Sequence, residues 1–381
     1  MPTPLQDRIK TPGPKKILAC DGGGILGLIS VEVLARIEAV LREQQPLEQR
    51  RDFVLADYFD YFAGTSTGAL LAGCLALGMS VERIRKFYLD SGREMFDKAG
   101  LLERLRYKYD DDKLSMKLKE EVGEDTLLGS DKLRTLLTVV MRNATTDSPW
   151  PLSNNPGALY NLRARDDGSV RENCNLDLPL WQLLRASTAA PTFFPPEVVQ
   201  VGGQSFIFVD GGVTTYNNPA FLAFTMATLD RYAVNWQTGE DKLLVVSVGT
   251  GNAARANANL TPGQMNLLYQ ASNIPGALMA AAQYQQDLLC RMFGKCLVGD
   301  PLDRELGDLI GCHGPVAPKL FTYLRYDADV SREGLDALGL PNVDSQHVQL
   351  MDSTQYIDEI QQVGRAVGER KVHAAHFAGF V

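Results

Sequence analysis

The sequence predicts an α/β protein whose sheet is covered by helices on both faces. Two stretches show the same order of parts. Lys16-Ile17-Leu18-Ala19-Cys20, a short apolar run, meets Asp21-Gly22-Gly23-Gly24 and then an amphipathic segment. Asp60 to Ala63 likewise meets Gly64-Thr65-Ser66-Thr67-Gly68 and then an apolar segment. Strand, glycine turn and helix in that order open an α/β unit. A third stretch, Leu243-Leu244-Val245-Val246-Ser247-Val248, is almost continuously apolar and ends at Gly249-Thr250-Gly251. Such runs suit strands buried on both faces.

The elements follow in chain order. Residues 1–15 are polar and proline-bearing, without the apolar core of a secretory signal, and read as a disordered lead. Residues 16–381 read as one domain, since no clean boundary or repeat interrupts them. Leu28 to Leu41 places Val33, Ile37, Val40 and Leu41 near one face, with Glu32, Arg36 and Glu43 on another, as an amphipathic helix does. Ala69 to Leu77 is apolar all round and predicts a buried helix, ended by Gly78, with Ser80 able to cap the next one. Residues 81–145 hold most of the charge runs and read as exposed helices, with Asp110-Asp111-Asp112 a solvated loop. Asp177 and Pro179 suit the start of a helix through Leu180–Leu184. Ser205 to Val209 alternates as a strand into Asp210-Gly211-Gly212. Residues 252–320, rich in Ala, Asn, Gln and Gly, are the segment for a lid, a membrane contact or a regulatory surface. Tyr356, Ile360, Val363 and Val367 mark a last amphipathic helix.

Composition narrows the function. With 45% hydrophobic and 22% charged residues among 381, the chain can build a substantial core. A net charge of −8 argues against a nucleic acid polymer as partner and against electrostatic capture by anionic lipid. Work at a membrane would then rest on apolar contact. The longest mostly apolar run, Ala69 to Met79, is too short to span a bilayer. Six cysteines are scattered along the chain and read as reduced thiols of a cytosolic protein. Cys290, Cys296, Cys312 and His313 fit no tight zinc spacing, so no metal or cofactor is expected.

The two glycine turns carry the chemistry. Gly64-Thr65-Ser66-Thr67-Gly68 matches G-x-S-x-G, the turn that exposes a serine between strand and helix. Asp21-Gly22-Gly23-Gly24 offers consecutive backbone N–H groups to an anion, as an oxyanion hole does. Gly22-x-Gly24-x-x-Gly27 also satisfies the dinucleotide-binding pattern. That pattern needs a second strand ending in an acidic residue about 20 positions on. No strand is legible there before Asp52, so the oxyanion reading is favoured. The base for Ser66 is open between two readings. Asp210 ends a strand before two glycines and, partly desolvated, gains basicity. A histidine triad is the other, and the chain has four histidines: His313, His347, His373 and His376.

Taken together, these motifs resemble the patatin-like phospholipases. The likeness runs in order through Asp21-Gly22-Gly23-Gly24, Gly64-Thr65-Ser66-Thr67-Gly68 and Asp210-Gly211-Gly212. Ala186-Ser187-Thr188-Ala189-Ala190-Pro191, Asn217-Asn218-Pro219 and Ser247-Val248-Gly249-Thr250-Gly251 extend it. The resemblance implies a three-layer α/β/α fold with a mostly parallel sheet, and a lipid acyl hydrolase using a Ser–Asp dyad without histidine or metal. Ser66 would be the nucleophile and Asp210 the base. Gly22, Gly23 and Gly24 would be oxyanion donors, with Asp21, Gly64, Gly68, Gly211 and Gly212 shaping the turns. The partner implied is a phospholipid membrane surface, approached peripherally from the cytoplasm. The layout is also similar to bacterial antiviral effectors of this family, which implies a cyclic-nucleotide activator. One position departs: the family commonly has Arg or Lys where this chain has Leu26. A degenerate hydrolase fold acting as a ligand sensor, and a histidine-dependent esterase, are the rival functions.

Overall fold

A computed structural model describes residues 3–95, 111–165, 167–191, 193–252, 261, 263, 267–352 and 354–380. Its strands are β1 Lys15–Cys20, β2 Tyr61–Thr65, β3 Leu136–Asn143, β4 Ser148–Ser153, β5 Glu197–Val201, β6 Gln204–Asp210, β7 Leu243–Val248, β8 Lys295–Val298 and β9 Thr322–Tyr326. They form one sheet in the order β5-β6-β3-β2-β1-β7-β9-β8, with β4 also on β3. The centre and the β8 side are parallel, while β4, β5 and β6 run antiparallel to their neighbours. The helices are α1 Pro4–Lys10, α2 Gly27–Glu43, α3 Leu55–Tyr58, α4 Thr67–Ala76, α5 Val81–Met95, α6 Asp111–Val122, α7 Leu180–Ser187, α8 Ala220–Thr228, α9 Leu267–Phe293, α10 Arg332–Ala337 and α11 Ile357–Lys371.

Side-chain alternation along the strands makes the three layers. Leu18, Phe62, Val139, Val246 and Leu324 share one core with α2, α4, α5, α7 and α11. Ile17, Ala19, Tyr61, Val245 and Tyr323 face the other core, closed by Ala220, Ala223 and Phe224 of α8, Cys290 of α9, and Leu5 and Ile9 of α1. The continuous apolar runs of β1 and β7 therefore serve both faces. Among the described residues, no helix is long and apolar enough to cross a membrane.

Two expectations are corrected. Residues 4–10 of the lead are helical, not disordered. Thr3 and Gln6 form a capping box and Pro4 occupies the first turn. Trp236 Nε1 then bonds Ile9 O at 3.0 Å, and Arg8 bonds Phe59 O at 2.8 Å, so the helix is tied to the core. Within the charged stretch, Leu136–Asn143 is not helix but the buried strand β3. The charges of its neighbours hid an apolar run rich in β-branched residues. Asp110 lies outside the described residues; Asp111 and Asp112 open α6.

The arrangement around β3 positions everything that follows. Residues 141–143 pair with both β4 and β6, and residues 138–140 pair with both β4 and β2. A strand has two edges and β4 holds one of them, so β2 and β6 share the other, end to end. Thr65 stands opposite Val140 and Asp210 opposite Met141. The carboxyl ends of two strands far apart in sequence thus converge at one corner.

Candidate active site

At that corner the chain turns sharply out of β2. Ser66 has φ 55° and ψ −127°, in the left-handed region that non-glycine residues rarely enter. The turn is possible because its flanks lack side chains. A Cβ on Gly64 would lie 2.0 Å from Gly68 O, and one on Gly68 would lie 2.1 Å from Cys20 O. Helix α4 begins at Thr67, which points its N-terminus, and the positive end of its dipole, at the serine.

Ser66 Oγ donates to Asp210 Oδ2 at 2.6 Å. The other carboxylate oxygen accepts from Gly212 N–H at 2.6 Å. Both residues are enclosed, at 7% and 4% exposure. Burial pushes the Asp210 carboxyl up from 3.8 to about 6, opposed by the bonds from Ser66 and Gly212 and by the Arg185 charge. Gly211 fits because a Cβ there would meet Val140 O at 2.2 Å. The Ala186–Pro191 segment touches both residues: Ser66 N–H donates to Ser187 Oγ at 2.9 Å, and Asp210 N–H donates to Ala189 O at 2.9 Å.

The triple-glycine turn lies beside this pair. A Cβ on Gly22 would be 3.2 Å from Ser66 Cβ and 2.3 Å from Asn217 Oδ1. Gly22 is held from both sides, its N–H on Asn217 O at 3.1 Å and its O receiving the Thr250 hydroxyl at 3.0 Å. Gly24 has φ +60°, a conformation glycine adopts freely. Among the described residues, the N–H groups of Gly23 and Gly24 have no partner, whereas that of Gly22 is engaged.

A buried ion pair anchors the turn. Arg325 of β9 reaches both oxygens of Asp21, at 3.0 and 2.7 Å, and also Ser247 Oγ and Asp327 Oδ2 at 2.7 Å each. Gln283 of α9 bonds Asp21 Oδ2 at 3.2 Å. Burial pushes the Asp21 carboxyl up to about 7 against the pull of Arg325, which itself stays cationic. Leu26, where the resemblance led us to expect a missing cation, is buried in the core. A cation nevertheless supports the loop, supplied by a strand 304 residues away in sequence. Arg325 is the one charge in the wholly buried strand Thr322–Tyr326, and a charge in such a place signals a buried partner.

Comparison with known proteins gives the family. The family model described as patatin-like phospholipase matches residues 18–224. The chain belongs to the patatin-like phospholipase family. Patatin-T5 of Solanum tuberosum is 28% identical over 262 residues, 64% of this chain and 62% of the relative. Patatin-17 of Solanum cardiophyllum gives the same identity and coverage. The match thus spans a little over three fifths of the length of these patatins. Among solved structures, human GIVD cytosolic phospholipase A2 is similar over 99% of this chain and 61% of its own, with 11% identity and a TM-score of 0.47. VipD from Legionella pneumophila covers 92% and 67%, with 14% identity and a TM-score of 0.38.

The histidines lie elsewhere in this family member. His347 bonds Glu359 at 3.0 Å and stacks on Tyr356, while His376 bonds the Tyr326 hydroxyl at 2.9 Å. His373 packs against His376, and His313 is exposed. The cysteines are free thiols, all buried but Cys312. Among the described residues, no cluster of His, Cys, Asp or Glu could hold a metal ion. Of the 252–320 segment, residues 253–260, 262 and 264–266 lie outside the described residues. Helix α9 occupies 267–293 and overlies the site, with Met279 Cε 2.9 Å from where a Cβ of Gly212 would be.

Proposed function

We propose that this protein hydrolyses fatty-acyl esters of membrane phospholipids through an acyl-Ser66 intermediate. The hydrogen bond of 2.6 Å from Ser66 Oγ to a buried Asp210 is the observation that carries the reading. Ser66 Oγ attacks the ester carbonyl carbon as its proton passes to Asp210 Oδ2. The oxyanion that forms is met by the free N–H groups of Gly23 and Gly24 and by the N-terminus of α4. Collapse expels the lysophospholipid alcohol, which takes the proton from Asp210. Water then attacks the acyl carbonyl carbon, giving its proton to Asp210, and Ser66 Oγ leaves with that proton as the fatty acid is released. A carboxyl raised to about 6 is basic enough to accept a proton and still ionised at neutral pH.

The membrane-facing element in this reading is the part of α9 around Leu278. No charged residue lies between Arg255 and Asp287, Leu278 is 65% exposed, and Met279 abuts the Asp210 loop. An acidic protein can dock there by apolar contact.

The test is fatty-acid release from phospholipid vesicles in the presence of a chelator. Ser66→Ala and Asp210→Asn should each lose at least a thousandfold in turnover. Wild-type turnover in either variant would sink the dyad, and full activity after replacing all four histidines would exclude the esterase rival. Failure of Ser66 to react with a fluorophosphonate in the folded protein would favour the ligand-sensor reading.

A further inference from the structure

Ala186-Ser187-Thr188-Ala189-Ala190-Pro191 has no role in the reaction as drawn, yet it accepts the backbone N–H groups of both dyad residues. We infer that residues 187–189 are a positioning bracket for the dyad, in which the Ser187 hydroxyl holds the nucleophile's peptide and the Ala189 carbonyl holds that of the base. The inference rests on the reading of Ser66 as nucleophile.

Ser187 is the last residue of α7 and is wholly buried. A hydroxyl has one proton to donate and two lone pairs. Here the proton goes to Val140 O at 2.5 Å and a lone pair takes Ser66 N–H at 2.9 Å. With its single donor used, Ser187 has none to offer a substrate; it acts through Ser66. The need for it follows from topology. Strand β2 pairs with β3 as far as Thr65 opposite Val140, and Ser66 then leaves the sheet. Its N–H is buried and lies past the last rung of that pairing, and a buried N–H without an acceptor is costly. The hydroxyl bridges from Val140 O to Ser66 N–H and lets Ser66 hold its left-handed turn. Two residues on, Ala189 O fixes Asp210 N–H at 2.9 Å. One short segment therefore sets the separation of Oγ and Oδ2.

The bracket is itself firmly held. Thr188 Oγ1 bonds the carbonyls of Leu184 and Arg185 at 3.2 and 3.0 Å, closing the helix end. Phe193 and Phe194 N–H groups return to Ala190 O, and the Arg185 guanidinium lies 5.4 Å over the Phe194 ring and bonds Pro195 O at 3.0 Å.

Removing the hydroxyl leaves Ser66 N–H and Val140 O unpaired, and the peptide relieves this by turning, which carries Oγ away from Oδ2. No surface that would bind lipid changes. The experiment measures hydrolysis of a soluble p-nitrophenyl ester and the rate of fluorophosphonate labelling, both per folded molecule as judged by circular dichroism. For Ser187→Ala we expect kcat to fall by about 30- to 100-fold with KM within about threefold, and labelling to slow in proportion. Ser187→Cys, of similar shape with a weak acceptor, should fall between the two and gives the same readout if the alanine variant does not fold. Labelling by Ser187→Ala at the wild-type rate, or a loss that only tracks unfolded protein, overturns the bracket. Ser66→Ala run in parallel separates the cases: continued labelling there would remove the nucleophile reading itself, whereas its loss alongside normal labelling in Ser187→Ala removes only the bracket.

Discussion

Asp210 is held by opposing forces, and its behaviour with pH follows from them. Burial favours the neutral acid, while bonds from Ser66 and Gly212 favour the carboxylate, leaving the group at about 6. In the proposed reaction Asp210 is the base and must be ionised. Activity on a soluble ester should therefore rise with pH along a single limb centred near 6, and kcat/KM measured from pH 4.5 to 8 checks this; a flat profile would mean that Asp210 is not the group that titrates. The same shift sets a stability cost. A carboxyl with a folded value of about 6 and an unfolded value near 3.8 binds its proton more tightly when folded, so stability falls as pH rises between the two. At pH 8 the cost is on the order of 3 kcal/mol. Asp210→Asn should accordingly be inactive but more resistant to urea than wild type at pH 8, with the advantage gone by pH 4. At this scale the sequence was informative where glycine punctuates it. Ser66 and Asp210 were legible because Gly64, Gly68, Gly211 and Gly212 leave few roles for the residue they frame. The roles of Ser187 and Arg325 carry no such local mark. Their partners lie 121 and 304 residues away, and pairings over such distances are set by topology rather than local pattern.

At the scale of elements, the strand ends act together. Strands β1, β2, β6 and β7 all deliver their last residues to one side of the sheet, where open α/β folds bind ligands. The runs for β1, β2 and β7 were readable from apolar continuity, whereas β3, the strand that joins Ser66 to Asp210, was obscured by charged neighbours. The triple-glycine loop depends on a further strand, β9, through Asp21 and Arg325. Both side chains are buried, at 0% and 5% exposure, so removing Arg325 leaves the Asp21 carboxylate without its cation and, among the described residues, with only the Gln283 amide as side-chain donor. Arg325→Leu should cost about 3–5 kcal/mol in urea unfolding at pH 8. Asp21, now without a counter-charge, would escape part of this by protonation, so the loss should shrink at pH 5. A loss that is equal at both values would show that Arg325 serves packing rather than the charge of Asp21.

At the scale of the molecule, the net charge of −8 and the charge-free stretch before Asp287 together set how lipid would be met in the proposed function. A protein drawn to membranes by charge would lose its grip as salt rises, because exposed charges are screened within about 10 Å at 0.1 M ionic strength. The proposed contact through α9 around Leu278 predicts the opposite. Binding to zwitterionic phosphatidylcholine vesicles, read by co-sedimentation, should persist or strengthen from 50 mM to 500 mM salt. Leu278→Asp places a charge on the exposed face of α9 and should weaken that binding by about tenfold, since it exchanges an inserted apolar side chain for one that must stay hydrated. Binding that instead falls steeply with salt, and is untouched by Leu278→Asp, would move the membrane contact away from α9. Helix α9 touches Asp21 through Gln283 and the Asp210 loop through Met279, so the element that meets lipid in this reading also borders both halves of the catalytic centre.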